Sequence, residues 1–238
     1  MIKLENFEVV GWHHAIRGMR NPMNSWDKSD STFKETTQTM VLEDGKTKAY
    51  DVYFDALDIG PNDHKLMMKL ANAGPVHGKF RRMITVYVDI TAPLYWWKEF
   101  DTYKVGTVAN SCSTMHKIHE KEFTLDDFST EHLFTPETSP DYEDAWHPKE
   151  IIELTIKMLN LWRKRYLETE EKEDWWQMIQ LLPTSYNQKR TVLLNYEVLA
   201  NIYKSRKNHK LDEWVEFCKW IESLPYSEVI TGTDSNDN

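Results

Sequence analysis

This chain of 238 residues is poor in cysteine and glycine and has no long apolar run. Cys112 and Cys218 are its only cysteines, too few for a disulfide framework and not in a C-x-x-C pair, so reduced thiols are expected. The 8 glycines form no P-loop, G-x-G-x-x-G or G-x-S-x-G motif, which excludes the common phosphate-binding and nucleophile loops. The histidines lack the spacing to cysteines or carboxylates that is typical of metal ligands, so no metal site is predicted.

Two further absences concern membranes and nucleic acids. No apolar segment approaches the roughly 20 residues that cross a bilayer, and the first ten residues lack the order of a secretory signal, which favours a cytoplasmic protein. A formal net charge of −9 disfavours polymeric DNA or RNA as a partner, because binding to a nucleic-acid backbone needs clustered basic residues. A small anionic nucleotide is still compatible, since one or two local basic residues and a helix N-terminus suffice for a phosphate.

The composition that is present belongs to a folded globule. Hydrophobic residues make up 40% of the chain and aromatic residues 13%, which provides the apolar surface needed to offset the entropy of ordering. A strand-containing half followed by a helical half predicts an α+β fold with a central, mostly antiparallel sheet. We expect one domain over residues 1–238, with loop-rich excursions at 21–62 and 120–149 and a frayed tail at 228–238.

Hydrophobic periodicity predicts the individual elements. Phe7–Val10 is β-like, and the segment 12–20 after it can turn helical. Asp63 is expected to cap a helix. The segment 84–90 alternates apolar and polar residues, which predicts a half-buried strand that Pro93 ends before an aromatic helix.

The C-terminal third is expected to be helical because its apolar residues recur at helical spacing. Four helices are predicted: one after Pro148 with a stripe of Ile151, Leu154, Met158, Leu161, Trp162 and Arg165; Trp175 to Leu182; 185–204 with Val192, Tyr196, Leu199 and Tyr203; and 211–222 with Trp214, Phe217, Cys218 and Ile221.

The order of short sequence features carries a family resemblance over roughly residues 63–117 and 175–222. In the first block a helix is followed by Gly74-x-x-His77, Phe80, the alternating strand, Ala92-Pro93, an aromatic helix start and a polar cluster from Thr102 to His116; in the second, Leu182-Pro183 precedes Asn195, Asn201, Arg206 and His209. This succession resembles the flavin-dependent thymidylate synthase (ThyX) family. The chain is similar to a divergent member with an altered signature motif.

The family motif is Arg-His-Arg-x-x-Ser-x-Asn-Glu-x-Ser-x-Arg, and nearly every one of its positions differs here. Counted from Ala92-Pro93 without a gap, the motif falls on Thr102-Tyr103-Lys104, Thr107, Ala109-Asn110, Cys112 and Thr114. Thr114 in place of arginine removes a charge and up to two hydrogen bonds to phosphate. In the second block Glu197 stands where the family has an arginine, and it would repel a phosphate unless Lys104 or Arg206 pairs with it.

The resemblance implies a site, cofactors and partners. It places FAD beside His77, Lys104, Asn195, Asn201 and His209, and a nucleotide beside Thr107, Asn110, Ser113, Thr114 and Arg206, with Arg206 and Cys112 as the candidate catalytic residues. It implies a homotetramer whose active sites are shared between subunits, and a reaction related to the reductive methylation of deoxyuridine monophosphate. Folate and a nicotinamide electron donor would be the further small-molecule partners.

Two alternatives stay open from the residues alone. The small polar residues at 107–116 either trace a changed ligand or simply cap a following helix. Cys112 could be activated by His116 one helical turn later if the segment is helical, although free cysteines are more often inert packing groups. Correspondingly, the chain is either a flavin-dependent nucleotide-modifying enzyme or a degenerate member that binds nucleotides or has a structural role.

Overall fold

A computed structural model describes residues 2–41, 47–139 and 147–232, with side chains throughout except at 34–41 and 47–57. Its strands and helices, in chain order, are β1 (Lys3–Val10), α1 (Trp12–Arg20), β2 (Thr32–Val41), β3 (Thr47–Asp58), α2 (Pro61–Asn72), β4 (Thr85–Pro93), α3 (Leu94–Phe100), β5 (Val108–Ser111), α4 (Thr114–Lys117), α5 (Pro148–Thr169), α6 (Lys172–Leu181), β6 (Asn187–Asn195), α7 (Tyr196–Arg206), α8 (Asp212–Glu222) and α9 (Glu228–Thr231).

The principal sheet has four antiparallel strands in the order β1-β4-β6-β5. Strand β4 confirms the alternation read from the sequence: Val86, Val88 and Ile90 are buried, whereas Tyr87 is 42% exposed. The aromatic helix that was predicted to follow Pro93 is α3, in which Trp96 and Trp97 are fully buried. The predicted α+β class, with a mostly antiparallel central sheet, is therefore confirmed.

The described residues fall into two compact units. Unit 1 consists of Met1–Glu5, Asp89–Thr102 and Ala109–Thr191, and unit 2 of Asn6–Val88, Tyr103–Val108 and Val192–Asn238.

Unit 1 is organised around the helices α5 and α6. Pro148 occupies the first turn of α5, where its missing N–H costs nothing, and the backbone N–H of His147 donates to the Glu150 carboxylate at 3.0 Å. The core of this unit is formed by Ile118, Phe123, Phe128, Ile152, Leu159 and Met178. The excursion expected at 120–149 is thus anchored by two buried phenylalanines; residues 140–146 of it lie outside the described residues.

The helix predicted after Pro148 is confirmed as α5. Within its predicted stripe, Trp162 packs against the core of unit 1, but most of the other apolar residues are exposed. Ile151, Leu154 and Leu161 are 45–54% exposed, while the residues that reach the core are Ile152 and Leu159. Both stripes have helical spacing, so the sequence pattern alone could not decide which one faces the core.

Unit 2 is organised around α1, α2, α7 and α8. The predicted helix at 211–222 is α8, with Trp214, Phe217 and Ile221 fully buried. The predicted helix at 185–204 is wrong in its first half, because Asn187–Asn195 is strand β6 and α7 begins only at Tyr196. Val192 and Leu194 are both buried with a strand's period of two.

Three boundaries of unit 2 also differ from expectation. Residues 21–62 contain a two-stranded antiparallel ribbon, β2 with β3, in which Thr32 lies opposite Asp58 and Val41 opposite Thr47. These strands are rich in threonine and tyrosine but lack apolar alternation. The β-propensity of these residues is therefore the only sequence signal that indicates the two strands. The tail expected from 228 begins as α9 with Val229 and Ile230 buried; residues 233–238 lie outside the described residues.

The third difference is Asp63, which does not cap α2. Gly60 is the N-cap, and the fully buried Asp63 carboxylate accepts hydrogen bonds from Arg20 Nε at 2.5 Å and from the hydroxyls of Ser29 and Ser31 at 2.7 Å. Burial by itself raises the pKa of Asp63, but these hydrogen bonds outweigh it and hold the pKa below its ordinary value. The ionised carboxylate therefore ties α1, the segment before β2 and the start of α2 together.

Candidate functional site

Asn195, predicted beside flavin, joins β6 to α7 in unit 2. Its Oδ1 accepts from the Val198 N–H at 3.0 Å, which caps the helix, and its Nδ2 donates to the Gly106 carbonyl at 3.4 Å. Gly106 has φ +84°, and a Cβ there would lie 2.9 Å from the same amide nitrogen. Only glycine therefore fits at this point of the 103–108 loop.

Arg206 and His209, also predicted at the site, contact one another at the end of α7. Arg206 Nη1 lies 2.9 Å from His209 Nε2, and Arg206 Nε donates to the Tyr103 hydroxyl at 2.9 Å. The guanidinium carbon lies 4.8 Å from the centre of the Trp214 ring, within cation–π range. The cation is thus held half-buried between two aromatic rings.

The 103–108 loop carries two more of the predicted residues. Thr107 donates its hydroxyl to the Tyr103 carbonyl at 2.7 Å, which closes the turn, and Lys104 is exposed. The structure therefore brings Thr107, Asn195, Arg206 and His209 together around this loop, with Lys104 on it.

A cavity of about 440 Å³ lies along α7 in unit 2 and contains the predicted residue Asn201. Its charged lining consists of Arg81, Glu197, Lys204 and Lys207, so three cations face one carboxylate. The remaining lining residues are Ala71, Asn72, Gly74, Pro75, Ala200, Tyr203, Ile230, Thr231 and Gly232. On a chain with a net charge of −9, this local excess of positive charge favours an anionic ligand.

Glu197 pairs with a residue that sequence reasoning missed. Its Oε2 lies 2.8 Å from Arg81 Nε and 2.7 Å from Arg81 Nη2, and the two side chains are only 8% and 10% exposed. Arg81 Nη1 also donates to the Val229 carbonyl at 3.2 Å. The partners considered from the sequence, Lys104 and Arg206, were the wrong ones, because no spacing rule connects residues that are 116 positions apart.

His77 is exposed in the turn that follows α2, where its backbone N–H donates to the Gly74 carbonyl at 3.1 Å. Tyr203, on the cavity wall, donates its hydroxyl to Glu222 at 2.7 Å. That hydrogen bond, together with partial burial, raises the pKa of Tyr203 to about 12, so the phenol stays protonated at neutral pH.

The altered signature segment continues into unit 1. Asn110 is exposed on β5, and Cys112 is exposed directly after that strand, with its N–H donating to the Lys189 carbonyl at 3.0 Å. The Ser113 hydroxyl accepts from the His116 N–H at 3.0 Å and so caps α4, which begins at Thr114. The helix-cap interpretation is therefore correct for Ser113.

The suggested Cys112–His116 helical pair is wrong, because Cys112 precedes α4. Cys112 and Ser113 instead line a cavity of about 320 Å³ together with Lys117, Lys121 and Lys189. These lysines lie near carboxylates of their own unit, Glu120, Asp127 and Asp89 respectively. This cavity consequently lacks the excess positive charge of the cavity in unit 2.

No group of three or more histidine, cysteine or acidic side chains in residues 2–41, 47–139 and 147–232 could hold a metal ion. No helix within the same ranges is long and apolar enough to cross a membrane.

Comparison with solved structures identifies the fold. Thymidylate synthase X from Helicobacter pylori with FAD and dUMP matches with a TM-score of 0.64 over 100% of both chains at 14% identity. A second structure of the flavin-dependent enzyme from the same organism, also complexed with FAD and dUMP, matches with a TM-score of 0.57 over 96% of this chain and 95% of that one at 15% identity. No protein-family model and no curated protein matches. At this level of identity, the similarity establishes that the chain has the fold of flavin-dependent thymidylate synthases.

Proposed function

We propose that this protein is a flavin-dependent nucleotide-modifying enzyme related to thymidylate synthase. The observation that carries the proposal is the cationic cavity along α7, because it contains Asn201 and lies in a fold whose solved examples hold FAD and dUMP. Its volume of about 440 Å³ falls in the usual range for small-molecule sites.

The donors around this cavity fit a phosphate group. Lys204 lies on α7 and Lys207 directly follows it; both are exposed, and Asn201 offers an amide on the same helix. Arg81 neutralises Glu197, so the acidic side chain no longer opposes a phosphate. Charge-assisted hydrogen bonds to such a group contribute about 1.5–3 kcal/mol each.

The roles proposed for the remaining residues follow the family resemblance. His77, Lys104, Asn195, Asn201 and His209 would hold the flavin. Thr107, Asn110, Ser113, Thr114 and Arg206 would hold the nucleotide, with Arg206 and Cys112 closest to the chemistry.

Flavin, when bound, would supply the redox chemistry, while the protein binds, orients and polarises. In this chain the guanidinium of Arg206 is already oriented by Tyr103 and His209, so it would meet an anionic substrate without reorganising. Cys218, by contrast, has no part in the proposal, because burial raises the pKa of its thiol to about 11.

Calorimetric titration tests the proposal with FAD and with dUMP as separate probes. The double variant Lys204→Ala/Lys207→Ala should weaken one of these ligands at least tenfold, since two cations leave the cavity. Lys219→Ala is the matched control, because Lys219 is an exposed lysine of α8 that pairs with Glu216. If neither probe binds the parent protein, the enzyme proposal fails.

A second candidate is the degenerate member that keeps the fold and binds nucleotides without flavin chemistry. It is favoured by the replacement of arginine at Thr114 and by the capping role of Ser113. Binding of dUMP without any visible flavin absorbance after incubation with FAD would establish it in place of the enzyme.

We further propose a homotetramer, with folate and a nicotinamide as carbon and electron donors and with the cytoplasm as the compartment. The support is the resemblance together with Trp26 and Trp176, which are 51% and 39% exposed, because exposed apolar surface typically marks subunit interfaces. Light scattering that gives the monomer mass of 28.3 kDa at micromolar concentration would contradict the assembly.

A further inference from the structure

Helix α5 presents a second apolar stripe that is not used by the core of unit 1. Ile151, Leu154, Met158 and Leu161 are 45%, 45%, 36% and 54% exposed, whereas Ile152 and Leu159 face the core. The four exposed residues are separated by three, four and three positions, which is the spacing of a coiled-coil seam. They therefore form one continuous line along a helix of 22 residues.

We propose that this stripe, Ile151–Leu154–Met158–Leu161, is a self-association seam on which α5 of a second copy packs. A seam built from one helix face is self-complementary, as a two-fold interface requires. The inference refines the self-association proposed above by naming its surface, and it does not depend on flavin binding.

The charges beside the seam favour antiparallel packing. Along one flank, Glu150 lies near the start of α5 and Lys164 near its end. Antiparallel helices bring Glu150 of each copy beside Lys164 of the other, whereas parallel helices place these residues on opposite sides of the seam, where the oppositely charged groups do not meet. Lys157 meets its own symmetry mate near the centre of the antiparallel pair, but the two Glu150–Lys164 contacts outnumber this single like-charge contact. Antiparallel alignment also opposes the helix dipoles favourably.

Size-exclusion chromatography with light scattering on the full chain tests the seam. The double variant Leu154→Glu/Leu161→Glu should halve the mass of the parent assembly or reduce it to 28.3 kDa. Leu167→Glu is the matched control, because Leu167 is a 51% exposed leucine of the same helix away from the stripe, and it should keep the parent mass.

The outcomes distinguish failure of the seam proposal from failure of the proposed oligomer. A parent protein that is already monomeric overturns both proposals. An oligomeric parent whose mass is unchanged in the double variant, or is lost equally in Leu167→Glu, overturns the seam alone.

A second variant covers the case in which two glutamates disturb folding. Lys164→Glu changes one exposed residue and should weaken association on the order of tenfold at low salt, with the loss shrinking as salt screens the charges. Unchanged association at low salt would refute antiparallel packing.

Discussion

The Arg81–Glu197 ion pair offers a direct test of what holds unit 2 together. Both side chains are about nine-tenths buried, and Arg81 also bonds the Val229 carbonyl of α9. In Glu197→Ala the guanidinium would remain in the interior without its carboxylate, still donating to the Val229 carbonyl. Removing one partner of a buried pair typically costs about 3–5 kcal/mol. We expect the lower end, about 3 kcal/mol, because the edge of the pair reaches the cavity.

The double variant Arg81→Met/Glu197→Leu should be less destabilised than Glu197→Ala. Replacing both charges with apolar groups removes the uncompensated ion, and such replacements are often neutral. The coupling energy between the two positions should therefore be about 2–3 kcal/mol. The same reasoning predicts that Glu197→Arg, which would bring in the arginine of the family motif, destabilises the fold by placing two guanidinium groups together.

The assay is urea unfolding at pH 7 and fixed protein concentration, followed by tryptophan fluorescence, with far-ultraviolet circular dichroism as a second probe. The exposed pair Glu216–Lys219 on α8 is the control, and breaking it should cost less than about 1 kcal/mol. If Glu197→Ala costs no more than the control, or if the two single substitutions simply add, the interior pair does not stabilise this unit.

Three further outcomes are expected. Asp63→Asn should lower the free energy of unfolding by about 3 kcal/mol at neutral pH. Because folding lowers the pKa of Asp63, the parent should stay more stable than the variant above about pH 5, and this difference should disappear as the pH falls through the folded-state pKa. Urea unfolding at several pH values measures it. Gly106→Ala should lower stability by about 1–3 kcal/mol, because φ is +84° and the new Cβ would press on Asn195; an unchanged thermal midpoint would contradict this. Phe128→Ala should lower the free energy of unfolding by about 3–5 kcal/mol, because Phe128 is buried in the core of unit 1. Phe134→Ala, at a 50% exposed position, should lower it by less than about 0.5 kcal/mol. Equal losses would place the 120–139 segment outside the core.

Where one periodicity dominated, the amino-acid sequence determined the local structure. Strand β4 and helix α8 were predicted because their apolar residues fit one period only, two for the strand and 3.6 for the helix. The succession of short features also pointed to the fold, since helix, strand, Ala92-Pro93 and the later asparagines keep their order even where the signature residues have changed.

Only the tertiary structure decided questions that local patterns leave open. Helix α5 has two apolar stripes, and packing of Phe123, Phe128 and Met178 against it determined which one is buried. Strand β6 was mistaken for helix because Val192 and Tyr196 are spaced like one helical face across the boundary between β6 and α7. In each case the local preference was nearly balanced, and contacts with distant elements decided between the alternatives.

The candidate site divides in the same way. Asn195, Asn201, Arg206 and His209 were predicted from the sequence because they form a short, ordered block, which the structure places on α7 and beside its two ends. Arg81, which neutralises Glu197, and Tyr103, which orients Arg206, were missed as partners because both contacts span about a hundred residues or more. The sequence determines which charged groups the chain has, but folding determines which of them come together in the low-dielectric interior. The interaction energy of two such charges depends on their distance in space and not on their separation along the chain.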